Sequence, residues 1–358
     1  TTGATMGAVV SASHNPADDN GIKLLAARGT KLSDEVEREL EDRLRSSGVK
    51  TAVGPDIGSR FPDGDALEQY VAHLVDISRY SLSGLEIALD CANGAAYRAA
   101  PMLFQRLKAD LMVLGDSPDG TNINAGCGAT HPEMLASAAR GRIGLAFDGD
   151  ADRLIAIDED GRVANGDVIM AIVARHMKTQ GALKKNIVVA TVMSNLGFRK
   201  SMAEAEIEII ETKVGDRYVM EALLEHKGIL GGEQSGHIIF LDKGQTGDGL
   251  LTAVRLLDVV AGTGKELRQL RAEAITEYPQ VLQNVRVARG SSLTDATDLW
   301  DEVRLVESEL GEEGRVLVRA SGTEPLIRVM VEAPSEAAAR GYADRLASVT
   351  ESSLRKEG

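Results

Sequence analysis

IGLAFDGDADRLIAIDE, residues 143–159, consists of two short apolar runs separated by a loop with carboxylates at alternate positions. Each run is strand-like, which sets Asp148, Asp150, Asp152 and Arg153 in a loop between buried strands. Three neighbouring carboxylates repel one another unless a cation lies among them, and hard oxygen ligands suit Mg²⁺ or Ca²⁺. An EF-hand loop starting at Asp148 could end on Glu159, but it would need glycine where Arg153 stands and helices where strands are indicated. An aspartyl-nucleophile phosphatase, with one Asp attacking and another acting as acid, fits the strand-then-Asp context and stays open here. A solvated acidic turn would not need apolar strands on both sides.

Outward from this loop the chain alternates strands and helices. Upstream come a strand (LEIALDC, from residue 85), a helix around Tyr97 to Leu107, a strand (DLMVLGD) and a polar loop, which make a βαβ series. Downstream, NIVVATVMSN and IEIIETKVGD are strands of a further α/β unit, closed by a helix from near Asp248 (GLLTAVRLLDVVAG). GTGK at 262–265 lacks the spacing of a nucleotide-binding loop and reads as a helix cap. Before residue 77, Ser33 with Asp34 and Glu35 marks a helix start, with Val36, Leu40 and Leu44 on one face. Leu67, Tyr70, Val71, Leu74 and Val75 mark a second amphipathic helix after a turn-rich connector. A smaller part mixing strands and helices runs from about residue 278. The fold class is therefore α/β and multidomain, divided as 1–76, 77–170, 171–277 and 278–358. The strand-then-polar-loop form of VVSASHNP, ALDCANGA and ATVMSNLG hints at a repeated α/β unit.

Three other loops carry polar groups suited to chemistry. In GAVVSASHNPADDNGIK, residues 7–23, Ala8-Val9-Val10 reads as the end of a buried strand. Pro16 and Gly21 interrupt regular structure, so Ser13 and His14 are presented on a loop. By itself this segment is equally well an ordinary turn. GGEQSGH, residues 231–237, sets Glu233, Ser235 and His237 among glycines, where polar groups can approach a ligand closely. Glu and Ser suit sugar hydroxyls, and a histidine can serve as acid or base near neutrality, although a lone histidine is more often structural. In GRVLVRASGTEPLIRVMVEA, residues 314–333, Arg319, Ser321, Gly322 and Thr323 turn between two strand-like runs, with Arg328 on the second. Guanidinium, hydroxyls and an exposed backbone compose a phosphate cradle, though a plain hairpin with a cross-strand Arg would look similar.

SASHNP, DGDADR, GEQSGH and RASGTEP, in this order, resemble the α-D-phosphohexomutase superfamily, and TKVGDRYVMEAL and LDKGQTGDG extend the resemblance over nearly the whole chain. Ser11, Gln234 and the LDKGQTGDG run are similar to the branch acting on glucosamine phosphate. The resemblance implies three similar α/β domains plus a smaller C-terminal α+β domain. It also implies that the first domain is truncated, because family members carry a strand and a glycine-rich, arginine-containing loop before the serine loop, whereas this chain begins almost on top of Ser13. The implied reaction interconverts hexosamine 6-phosphate and 1-phosphate through a phosphoserine and a bisphosphate, feeding sugar-nucleotide and cell-wall precursor synthesis. Activity on mannose or glucose phosphates, or a metal-dependent sugar phosphatase, are the alternatives. Ser13 would carry the phosphoryl group with His14 beside it, and one Mg²⁺ would be shared by phospho-Ser13, Asp148, Asp150 and Asp152. Lys23 and His237 would move the hydroxyl proton and Arg153 would screen the phosphoserine. Glu233 and Ser235 would hold sugar hydroxyls, while Arg319, Ser321, Gly322, Thr323 and Arg328 would hold the phosphate that is not reacting. A sugar bisphosphate would act as activator, and a homodimer is suggested.

Composition agrees with this assignment. With 358 residues there is length for several domains, and 43% hydrophobic with 26% charged residues is ordinary for globular protein. A net charge of −14 argues against nucleic acid or an anionic membrane as partner, so an anionic substrate has to be held by local Arg, metal and backbone donors. Cys91 and Cys127 have no ligand-type spacing and imply no disulfide framework, which suits the cytoplasm. No apolar run approaches the length of a membrane span, and no signal peptide is visible.

Overall fold

The computed structural model describes residues 4–30, 32–46, 52–59, 61–287, 293–321 and 325–354. The chain separates into two compact units, one of Thr1–Met193 and Glu206–Ala274, the other of Ser194–Ala205 and Ile275–Gly358.

In chain order the first unit opens with β1 (Gly7–Val10) and β2 (Ile22–Leu25), an antiparallel pair with Val10 opposite Ile22. α1 (Asp34–Arg45) is capped by Ser33, whose Oγ accepts from the Val36 amide, and α2 is Ala66–Ile77. Then come β3 (Glu86–Asp90), α3 (Ala96–Arg106), β4 (Asp110–Leu114), α4 (Pro132–Ala138), β5 (Ile143–Phe147), β6 (Leu154–Ile157) and β7 (Val163–Ala164). α5 (Gly166–Thr179), β8 (Ile187–Thr191), α6 (Leu196–Glu204), β9 (Glu208–Thr212) and α7 (Asp216–His226) follow. The sequence continues with β10 (Leu230–Gly232), β11 (Ile238–Phe240), α8 (Gly249–Thr263) and α9 (Leu267–Ala274). β12 (Gln280–Arg286), α10 (Thr297–Leu310), β13 (Arg315–Ala320), β14 (Leu326–Glu332) and α11 (Glu336–Leu354) complete it.

The first unit holds a five-stranded sheet of order β4-β3-β5-β6-β7 and a four-stranded sheet of order β11-β10-β8-β9. β4, β3 and β5 are parallel, as the crossovers through α3 and α4 require, and their Ile, Leu and Ala side chains are buried on β3 and β5. β6 turns back antiparallel to β5, so the aspartate-bearing loop is a tight reversal at one end of this sheet. α5 and α8 are apolar on almost every face because both are enclosed: α5 packs on β6, β7 and β10 and on α8. Gly264, at φ +67°, ends α8, so the GTGK segment is a left-handed helix cap as expected.

Two expectations are corrected. β1 forms where expected but is not buried, with Val10 76% exposed, because a two-stranded ribbon cannot cover both of its own faces. The Val36 and Leu44 face of α1 is likewise exposed, so the helix rests on its cap and on pairs such as Arg43 with Glu39 rather than on burial.

In the second unit β14 is the central strand of a sheet ordered β12-β14-β13, all antiparallel. α10 and α11 supply Leu299, Val306 and Leu346 to a core with Ile327, Val329 and Val331. α6, which lies in sequence between β8 and β9 of the first unit, belongs here. Its first amide, Leu196 N, donates to Glu332 Oε2 at 2.9 Å, and the Asn195 side chain donates to the Tyr278 carbonyl at 2.9 Å. Lys200 adds a 2.8 Å bond to the Tyr278 hydroxyl.

Candidate active site

The serine loop leaves β1 at Ser11 and returns at Gly21, whose carbonyl accepts from the Ser11 amide at 2.9 Å. A Cβ at Gly21 would stand 2.4 Å from the Ser11 carbonyl oxygen, so only glycine fits this closure. Within the loop Ser13 takes φ +53°, a left-handed conformation that costs a non-glycine residue roughly 1 kcal/mol or more. Local bonds hold it there. The Ser13 amide donates to Ser11 Oγ at 2.9 Å, and the Asn15 amide donates to the Ala12 carbonyl at 3.1 Å.

That conformation turns Ser13 Oγ onto the aspartate loop, where it donates to Asp148 Oδ2 at 2.9 Å. Asp148 follows β5 directly and is fully buried; its other oxygen accepts from the Arg153 amide at 3.1 Å. Ser11 Oγ donates to Asp150 Oδ2 at 3.0 Å, and Lys23 Nζ, one strand away on β2, reaches the same oxygen at 2.7 Å and Asp152 Oδ2 at 3.7 Å. Arg153 Nε lies 3.9 Å from both Asp148 and Asp152, and His14 Nδ1 is 3.4 Å from Ser13 Oγ. Sequence positions 11–23 and 148–153 thus meet in one cluster.

The electrostatics follow from burial and crowding. Burial, with Asp152 and Asp150 close by, pushes the Asp148 carboxyl up to about 7. Burial also opposes ionisation of Asp152, but the hydrogen bond and charge of His237, with Lys23 and Arg153, outweigh it and bring that carboxyl down to about 2. Lys23 is raised in spite of its burial, because it bonds Asp150 and faces all three carboxylates. His14 is lowered by burial and by Arg153.

His237 stands just before β11 and forms an isolated β-bridge with Arg153. It is 4% exposed and engaged at both ring nitrogens: the Gly247 amide donates to Nε2 at 3.2 Å, which leaves Nδ1 to face Asp152 Oδ2 at 3.4 Å. Burial opposes its charge, yet Asp152, Asp216 and Glu233 together raise its affinity for a proton. Glu233 Oε1 accepts from the Gly215 amide at 2.9 Å, and the buried Ser235 hydroxyl has no hydrogen-bond partner among the described residues. A cavity of about 640 Å³ opens beside the cluster, lined by Lys23, Asp150, Asp152, Asp216 and His237 on its polar side and by Leu25, Leu67, Met220 and Leu250 on its apolar side.

The second unit presents Arg319 and Arg328 directly opposite each other on β13 and β14. Among the described residues neither Nε atom nor the buried Ser321 hydroxyl has a hydrogen-bond partner, and burial together with Arg328 lowers the Arg319 guanidinium. Two facing guanidiniums repel unless an anion joins them. Gly322 and Thr323 lie outside the described residues.

The aspartate cluster fits a hard cation. One oxygen from each of Asp148, Asp150 and Asp152 lies within 4.8 Å of the others, and the buried Asp150 Oδ1 and Asp152 Oδ1 have no hydrogen-bond partners among the described residues. Motif reading missed Asn124, whose side chain bonds two carbonyls of the serine loop, and Tyr70, whose hydroxyl bonds Asp248 at 2.8 and 2.9 Å. Asn124 sits in the polar loop after β4, where only its Asn/Gly surroundings gave a sign of a turn.

Models of the phosphoglucomutase/phosphomannomutase family match the chain in order: alpha/beta/alpha domain I over residues 1–49, domain II over 68–161, domain III over 165–278 and the C-terminal domain over 282–349. The fold is therefore that of the phosphohexomutase superfamily. Phosphoglucosamine mutase of Desulforudis audaxviator is 50% identical over 335 residues, 92% of this chain and 74% of the relative. That of Oceanobacillus iheyensis is 49% identical over 357 residues, 99% of this chain and 80% of the relative. The chain belongs to the phosphoglucosamine mutase family. Among solved structures, a phosphoglucomutase/phosphomannomutase family protein from Burkholderia thailandensis superposes with a TM-score of 0.78 at 25% identity, covering 97% of this chain and 76% of that one. N-acetylphosphoglucosamine mutase of Aspergillus fumigatus, in complex with GlcNAc-6P and magnesium, shares the fold with a TM-score of 0.77 at 21% identity, over 99% of this chain and 90% of that one.

Proposed function

We propose that the chain interconverts glucosamine 6-phosphate and glucosamine 1-phosphate through a phosphoserine at Ser13. The observation that carries this reading is the 2.9 Å hydrogen bond from Ser13 Oγ to Asp148, inside a cluster of three carboxylates that a nucleophile would avoid without a cation. Asp148, Asp150, Asp152 and the phosphoserine hold one Mg²⁺, which when bound offsets the charge of the transferring phosphoryl group. The bond from phosphorus to Ser13 Oγ breaks as one to a sugar oxygen forms, giving a bisphosphate. The proton lost by the sugar hydroxyl ends on Ser13 Oγ. The bisphosphate reorients, and the other phosphate returns to Ser13 by the reverse step.

Lys23 is the better carrier of that proton: its ammonium faces the cavity and would give a proton to Ser13 Oγ as the phosphoryl group leaves and take one back from the sugar hydroxyl, whereas His237 is buried with both nitrogens engaged and serves to hold Asp152. Arg153 and His14 flank the phosphoserine, Glu233 and Ser235 take sugar hydroxyls, and Arg319, Ser321, Gly322, Thr323 and Arg328 take a phosphate. A free sugar bisphosphate keeps Ser13 phosphorylated. A four-part division at 1–76, 77–170, 171–277 and 278–358 is supported by the separate family models along the chain. A cytoplasmic location accords with two buried cysteines that form no disulfide, and a homodimer is proposed from the family resemblance alone.

The test is conversion of glucosamine, glucose and mannose 6-phosphates to their 1-phosphates with Mg²⁺ and a sugar bisphosphate. A higher kcat/KM for the amino sugar is expected. Preference for a neutral sugar would overturn the substrate, and release of inorganic phosphate without isomerisation would overturn the mutase reading in favour of a phosphatase.

A further inference from the structure

Asn124 is buried and takes φ +56°, and its own amide is fixed by the Ala92 carbonyl at 2.9 Å. Its side-chain NH₂ donates to the carbonyls of Ser13 and Asn15, both at 2.9 Å. Those carbonyls flank His14 in the segment whose strained Ser13 backbone aims Oγ at Asp148. Gly149 completes the arrangement from the other side: a Cβ there would stand 2.4 Å from the Ser13 carbonyl oxygen and 2.7 Å from Asn124 Nδ2. The Gly149 carbonyl is tied in turn to the Ala95 amide at 2.8 Å. The serine loop is thus gripped by a side chain that belongs to the five-stranded-sheet part of the same unit and lies 111 residues away.

We infer that Asn124 is a positioning residue for Ser13, which it holds in the left-handed conformation needed for phosphoryl transfer. The inference rests on the mutase reading above. The side chain touches neither substrate nor the reacting oxygen; it acts through the Ser13 and Asn15 carbonyls. Both amide hydrogens are spent on those two acceptors, so neither a hydrophobic isostere nor a hydroxyl of similar length can replace it. Misplacement of a reacting atom by about 1 Å can cost on the order of a hundredfold in rate while leaving ground-state binding intact.

Two substitutions separate the side chain from the backbone. Asn124→Ala removes the clamp but leaves a non-glycine residue at positive φ, whereas Asn124→Gly removes the clamp and relieves that strain. In both, kcat for the hexosamine phosphate should fall about tenfold or more with KM within about twofold of the parent. Hydrogen exchange of the folded protein, a readout independent of turnover, should show faster exchange at the Ser13 and Asn15 amides with β3 and β5 unaltered. Unchanged exchange at these amides, or faster exchange with kcat within about twofold of the parent, overturns the inference. Should the parent itself show no mutase activity, the functional reading falls, and the exchange measurement still decides whether Asn124 holds the loop.

Discussion

At the scale of single residues, the role proposed for Ser13 rests on how the fold places its hydroxyl. The residue keeps an unfavourable backbone angle, donates to a fully buried carboxylate and sits beside a lysine–aspartate pair. Ser13→Ala should leave the chain folded, at a cost of about 1 kcal/mol for one lost hydrogen bond, and reduce turnover to background. Calorimetry and transfer of labelled phosphate from a sugar bisphosphate check both halves; labelled protein in the variant would remove Ser13 from its role. The residues that touch one another here were readable from sequence because each cluster is local: SASHNP and DGDADR carry their groups within a few positions. Asn124 was not readable, since an asparagine in a polar loop usually serves its own turn, and only the folded chain shows its amide reaching another loop.

At the scale of elements, two caps tie distant helices and strands. Asp248 caps α8 by accepting from the Leu251 amide, and Tyr70 on α2 donates to both of its oxygens. Both groups are partly buried, and burial opposes ionisation of each. Tyr70→Phe should lower stability by about 1 kcal/mol, read as a shift in urea midpoint at unchanged slope, because a partly buried carboxylate loses one of its donors. Glu332, at the end of β14, is fully buried against Arg315, with burial raising its proton affinity above the usual 4.5. The folded chain then binds that proton more tightly than the unfolded one, so the stabilisation is complete below 4.5 and fades as pH rises through the folded value. The thermal midpoint of the parent relative to Glu332→Gln should therefore drop as pH rises above 4.5; a constant difference would contradict the assignment. Element types and order followed from apolar periodicity, as in the strands on either side of the aspartates. The exposure of β1 and α1 did not, because a pattern shows which face is apolar and not whether anything covers it.

At the scale of the whole molecule, the acidic excess of the sequence is felt most at the three aspartates, whose mutual repulsion a cation would relieve. Mg²⁺ at about a hundredfold over its Kd should stabilise the folded chain by about 2.7 kcal/mol. Chelation should abolish turnover, and readdition should restore it. In Asp150→Asn the thermal shift on adding Mg²⁺ should shrink, and a full-sized shift would take Asp150 out of the ligand set. Among the described residues no helix is long and apolar enough to cross a membrane. The overall class was legible because four short segments occur in fixed order. The pairing of α6 with the second unit was not, since nothing in LGFRKSMAE signals which side of the chain it will join.

That pairing has a consequence for synthesis. When the ribosome has made β8, α6 and β9, the strands can join their sheet at once, but the acceptor for the Leu196 amide is a glutamate more than a hundred positions later. The emerging chain must complete its first unit while a helix that interrupts its sequence still lacks partners, and keep that helix uncommitted until β14 arrives. Premature termination between Ala274 and the end of β14 therefore leaves more than a shortened protein: it leaves an otherwise finished unit with an unpartnered helix interrupting its sequence, and offers quality-control proteases a handle there.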